Sequence, residues 1–216
     1  MKKMLFALIM TSSVLAQAAL LTFEDGAKVL NGVNLKATAT VNDKDGKPTP
    51  LKLEILGAGL RIKQVLIAEV KVYVAQLFSD NKAGFSRDAT TGLTTLIQSS
   101  SRVAMKLDML RTVSAASLVT SFKEALAANN YALDAELTNA LGLMEKAAAA
   151  TSGNSITLLM TKEGGKTNLY YEDTKGVTVS MSGTPEMMVK IMSIWLGKPV
   201  DDGLAALKTQ MLKPVY

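Results

Sequence analysis

The chain has 216 residues, no cysteine, no histidine, 48% apolar residues and a formal charge of +5. Without imidazole or thiol it cannot assemble a Ser-His-Asp triad, a thiol nucleophile or an ordinary zinc site, and no disulfide or cysteine-borne lipid anchor can form. No cofactor is indicated. The lysines are scattered among carboxylates with no basic stripe interleaved with aromatics, which argues against nucleic-acid binding and gives no support for a membrane-surface role.

Met1, Lys2 and Lys3 form a positive start, Met4 to Ala16 an apolar run, and Ala16, Gln17, Ala18 a small-x-small site, the pattern of a secretory signal peptide over residues 1–18. Cleavage is expected after Ala18. The apolar run is thirteen residues, short of the roughly 20 a spanning helix needs, and no later stretch is long enough. The expected mature chain, 19–216, keeps 22 Lys and Arg against 19 Asp and Glu. It is expected to be exported, and periplasmic in a cell with two membranes. Its length suits one domain with a sizeable core.

Leu35, Ala37, Ala39 and Val41 alternate with polar residues as in a half-buried strand. Gly57-Ala58-Gly59 reads as a glycine turn before Arg61; it lacks the third glycine of a dinucleotide cradle. Gln64 to Phe78 predicts one continuous strand, with Leu66, Ala68, Val70, Val72 and Val74 on one face and Val65, Ile67, Glu69, Lys71 and Tyr73 on the other. Further strands follow at Val103–Met109, Ile156–Met160 and Val177–Met181, with tight hairpins at Gly164-Gly165 and at Asp173 to Gly176. Tyr170 and Tyr171, adjacent in a strand, must point to opposite faces.

Four helices are predicted. Ser114 caps one that runs to Asn129 with a stripe of Leu118, Phe122 and Leu126; a second spans 132–150; Thr184 and Pro185 open a third bearing Met188, Ile191, Met192 and Trp195 and ending at Gly197; Asp201 opens a fourth with Leu204, Leu207 and Met211. The implied fold is one α+β domain, a large antiparallel sheet covered mainly on one face by helices.

Arg61 is one of only four arginines. At the mouth of an apolar strand a guanidinium snorkels to water or meets an anion, and the purely structural role would be a salt bridge to Glu54 or Glu69. Ser193 could offer a hydroxyl, although a helical serine often bonds a carbonyl one turn back. Tyr73 could reach the same place or sit in the core with its hydroxyl satisfied. Glu69 and Lys71, two apart on a strand, are expected to form an ion pair. Met188, Met192 and Trp195 are expected to pack.

Several segments resemble the chalcone isomerase-like family, in particular its exported bacterial branch: GAGLR at 57–61, KVYVAQLF at 71–78, MKLDMLRTVSAASLVTSFKEAL at 105–126, SGNSITLLM at 152–160 and SIWLGKPVDDGLAALKTQML at 193–212. The resemblance implies an open-faced β-sandwich. In the family's plant enzymes a phenolate closes onto an enone, and the resemblance places Arg61 at their arginine and Ser193 at their late-helix hydroxyl. It places Ala68 at their water-orienting threonine, and Leu118 and Ala125 near their tyrosine and asparagine. Losing proton-handling groups costs about a hundredfold to ten-thousandfold each, so an isomerase is the secondary expectation. The first is a non-catalytic binder of a small apolar anion such as a fatty acid, held by Arg61, Ser193 and Tyr73 in a cleft between the sheet and the late helices, with the methionine-bearing helix as an apolar wall. A cell-envelope module that binds another exported protein, with no small ligand, is the third.

Overall fold

A computed structural model describes residues 19–216. The expected leader at 1–18 lies outside the described residues. Eight strands stand side by side in chain order, each antiparallel to the one before: β1 (Leu21–Leu30), β2 (Val33–Asn42), β3 (Pro48–Val65), β4 (Ala68–Ser79), β5 (Arg102–Met109), β6 (Ser155–Glu163), β7 (Lys166–Glu172) and β8 (Thr178–Gly183). The helices are α1 (Gly92–Ser99), α2 (Ala115–Ala128), α3 (Ala135–Glu145), α4 (Met187–Leu196) and α5 (Asp202–Met211).

The helices share one face of the sheet. Their apolar stripes meet Leu77, Met105, Leu107, Leu158 and Tyr171 in a single large core, with Trp195 against Phe122 at 5.4 Å between ring centroids. The opposite face carries a smaller core of Leu35, Leu53, Ile55, Val74, Phe78 and Leu159, closed by Val215 from the C-terminal tail. There the β1–β2 edge curls back over the sheet, so that the Lys36 amide donates to Gln76 Oε1 at 2.7 Å across the intervening β3. Tyr170 packs toward the small core and Tyr171 lies in the large one, as adjacent strand residues must.

Three capping groups explain where helices begin. Ser114 accepts from the Ser117 amide at 3.1 Å, Asp134 from Leu137 at 2.8 Å, and Asp201 from Leu204 at 2.8 Å, each satisfying an amide that has no partner within its helix. The second helix is shorter than the expected 132–150, because Asp134 fixes its start and Ala150 is drawn into a bridge with Val113. Thr184 is not a side-chain cap; its hydroxyl donates to Glu136 Oε2 at 3.1 Å, and α4 starts without one. α1 was not expected, being a two-turn helix whose approach is shaped by Asp88 accepting from the Thr90 and Thr91 amides.

Two expectations around Arg61 need correction. Gly57 and Gly59 are not a turn but lie inside β3, where a Cβ would meet the Met211 carbonyl oxygen at 1.7 Å and Leu207 at 2.8 Å. The glycines let the backbone of α5 lie on the strand. Nor is 64–78 one strand: β3 ends at Val65, Leu66 and Ile67 form the loop, and Ala68 pairs back with Val65. Bulges at Leu56 on β3 and Val72 on β4 interrupt the alternation, so Val70, Val72 and Tyr73 all line the same side.

Candidate functional site

A cleft of about 320 Å³ opens between the far end of the β3–β4 hairpin and α2, floored by Ile194 of α4 and Leu204 of α5. This lies at the lower end of the roughly 300–1,000 Å³ typical of small-molecule sites. The β4 bulge supplies Val70, Val72 and Tyr73 to one wall, and the helical spacing of Leu118, Phe122 and Ala125 supplies the other. Leu118 and Ala125, which the resemblance places near the plant enzymes' tyrosine and asparagine, present only hydrocarbon. Ala68 is not among the lining residues.

Arg61 is 7% exposed and borders this cleft, but it is already paired. Its Nη1 donates to Asp201 Oδ1 at 2.7 Å and its Nη2 to Asp201 Oδ2 at 2.6 Å, the bidentate fork that matches a carboxylate, and Nη1 also reaches the Ile62 carbonyl at 2.6 Å. The partner is therefore the capping residue of α5 and neither Glu54 nor Glu69. Burial alone would raise the Asp201 carboxyl; the bonds from Arg61 and the Leu204 amide, with the charges of Arg61 and Lys63, outweigh it and hold the group below its usual range. Gly203 makes room, since a Cβ there would meet the Ile62 oxygen at 1.8 Å.

Tyr73 stands beside this pair with its hydroxyl accepting from Trp195 Nε1 at 3.2 Å. Loss of solvent pushes the phenol up, only partly offset by the indole and by Arg61, so it stays protonated and keeps its own O–H to donate. Ser193 is not among the lining residues. Its hydroxyl donates to the Lys190 carbonyl at 2.6 Å, the bond that a helical serine makes to its own backbone.

The mouth differs from the floor. Lys63 on β3 and Arg111 after β5 line it, both exposed, and neither forms an ion pair among the described residues. Glu124 on α2 and the hydroxyls of Ser114, Ser117 and Ser121 complete the rim. Glu69 and Lys71, expected to pair, form no salt bridge among the described residues. Sequence reasoning missed Lys63 and Arg111 because their shared opening depends on the hairpin and on the loop from β5 to α2. The available signal was that Arg111 lies shortly before the cap Ser114 of a helix.

The sequence profile of chalcone isomerase-like proteins matches residues 27–213. The chain belongs to the chalcone isomerase-like family. Among solved structures, an Arabidopsis thaliana fatty-acid binding protein matches with a TM-score of 0.61 and 16% identity, covering 88% of this chain and 96% of that one. At that identity the likeness establishes the fold, which is the expected open-faced arrangement of an antiparallel sheet under a helical layer. Comparison with the curated proteins finds no match. Within the family fold, the cleft lies where the β3–β4 hairpin and α2 diverge, and no group of three acidic side chains gathers as a metal site among the described residues.

Proposed function

We propose that this chalcone isomerase-like protein binds a small apolar molecule with an anionic end, such as a fatty acid, in the cleft between the β3–β4 hairpin and α2. The observation that carries the reading is the division of the cleft into an apolar interior and a mouth with two cations, Lys63 and Arg111, that form no salt bridge among the described residues. An acyl chain gains by leaving water for the valine, leucine and phenylalanine walls, and a carboxylate gains a charge-assisted bond from Arg111 or Lys63. Arg61 and Tyr73 form the polar part of the interior: the Arg61–Asp201 pair is neutral as a unit, and the Tyr73 hydroxyl can donate to the ligand's head. Ser193, bonded to the Lys190 carbonyl, lies outside the cleft lining. The fatty-acid binding relative in fold is consistent with this ligand class.

The test is calorimetric titration with laurate and, in parallel, dodecanol. Wild type is expected to prefer the carboxylate; Lys63→Ala with Arg111→Ala should lower laurate affinity by about tenfold per cation while leaving dodecanol nearly unchanged, as a charge-assisted bond contributes about 1.5–3 kcal/mol. Equal loss for both ligands, or no binding of either, would overturn the reading. We further propose that the protein belongs to an exported bacterial branch and works in the periplasm. The support is the signal-like Met1–Ala18 segment, and N-terminal sequencing of the protein from its native cell should begin at Ala19. A start at Met1 in the cytosolic fraction would remove this proposal.

A further inference from the structure

The loop that joins β3 to β4 consists of Leu66 and Ile67, which are 93% and 99% exposed, beside a half-exposed Val65. Two-residue hairpin loops normally use Gly, Asn or Asp, and Leu66 holds φ at +55°, where a side chain is sterically disfavoured. Neither turn chemistry nor solubility accounts for two large apolar side chains at a tip. Their position does. Val65 and Val70 run from the tip into the cleft, Val200 adds a further exposed apolar residue at the same opening, and Lys63 and Arg111 flank it. Lys71 stands across from Ile62 on the same hairpin. Lys71 and Glu69 sit on the hairpin face away from the cleft, where Ile62 packs, and at the cleft mouth Lys63 and Arg111 outnumber Glu124.

We propose that the β3–β4 tip docks on an anionic lipid surface, with Leu66 and Ile67 entering the acyl region, Lys63 and Arg111 against the headgroups, and the cleft opening toward the bilayer. An amphiphile could then pass between membrane and cleft without crossing water; that exchange rests on the carrier reading, whereas docking itself does not. Even one full acyl chain gives only marginal, reversible membrane binding. Two side chains with two cations therefore give brief contacts that end readily, as a carrier requires, and the cationic share weakens with salt.

Flotation with vesicles of phosphatidylcholine, with and without phosphatidylglycerol, tests this on the purified protein. Wild type should float with the phosphatidylglycerol vesicles, less so at high salt. Leu66→Gly with Ile67→Ser supplies a glycine at the positive-φ position, so it should melt no lower than wild type, yet lose about tenfold or more of its vesicle binding. The same variant should bind laurate normally in vesicle-free solution, which separates failure of docking from failure of the carrier reading. The proposal is overturned by absence of flotation on either vesicle or by equal flotation of the variant. It is also overturned if the variant loses a concentration-dependent self-association while vesicles bind neither protein, since the tip would then be a contact between copies.

Discussion

The floor and the mouth of the cleft use the same kinds of residue to opposite ends. At the floor the charges and most polar groups near the ligand space are committed, Arg61 to Asp201 and the Ile62 carbonyl, the Trp195 indole to Tyr73, Ser193 to Lys190, and the Tyr73 O–H is the donor left for a ligand. At the mouth Lys63 and Arg111 form no ion pair among the described residues, and Leu66 and Ile67 touch solvent with almost their whole surface. The contrast separates residues that hold the fold from residues left available for binding. Burial forces it, because an unpaired charge in the interior costs several kcal/mol whereas an exposed one costs almost nothing.

The largest effect is expected at the floor. Asp201→Asn keeps a good helix cap but removes the charge that compensates Arg61. Breaking a fully buried pair costs about 3–5 kcal/mol and an exposed one under about 1; with Arg61 buried and the Asp201 side chain 39% exposed, a loss of about 2 kcal/mol is expected by urea denaturation. The pH dependence has a definite sign. Asp201 is lowered in the folded state, so its contribution is fully present above the unfolded value of about 3.9 and is lost as pH falls through the folded one. The gap between wild type and Asp201→Asn should therefore narrow below about pH 4. A gap that stays constant down to pH 2 would show that the carboxylate charge is not what stabilises.

This comparison also explains what could be read from the sequence. The strand alternations, the antiparallel hairpins and the capped helices were legible because period and cap chemistry are local. β1 was not, since its register shifts at Glu24 and Asp25 erase any clean alternation. The β3–β4 loop was hidden for a different reason: Leu66 and Ile67 continue an apolar run with none of the usual turn residues, so a hairpin tip read as strand interior. Arg61 was read as a guanidinium that snorkels to water or meets an anion, and the partner it has, Asp201, lies 140 positions away. Only the close seating of α5 on Gly57 and Gly59 brings Asp201 there. The resemblance placed Leu118 and Ala125 near the enzymes' tyrosine and asparagine, and both line the cleft, whose wall is α2 and not the late helices; Lys63 had no signature and Arg111 only its place shortly before a capped helix, because cations are common along the whole chain.

The mouth sharpens the contrast in the opposite sense. Lys63→Ala with Arg111→Ala, the pair expected to weaken laurate binding, should leave stability within about 0.5 kcal/mol of wild type, as exposed substitutions without partners do. Arg61→Ala cannot give so clean a result, since it abandons Asp201 at the start of α5 and shifts stability and binding together. A rim variant that lost both would merge the two regions and remove the distinction.

The smallest effect is expected at Ser193, and it is informative because the resemblance placed a functional hydroxyl there. Its proton goes to the Lys190 carbonyl within the same helix, an acceptor that keeps a second lone pair for other donors. Ser193→Ala removes one local bond and raises helix propensity, two changes of opposite sign, each about 1 kcal/mol or less. Stability should move by no more than about 0.5 kcal/mol and laurate affinity should not change. A tenfold loss of laurate binding with stability intact would mean that the side chain rotates away from Lys190 to meet the ligand, and the floor would then offer a second donor beside the Tyr73 O–H.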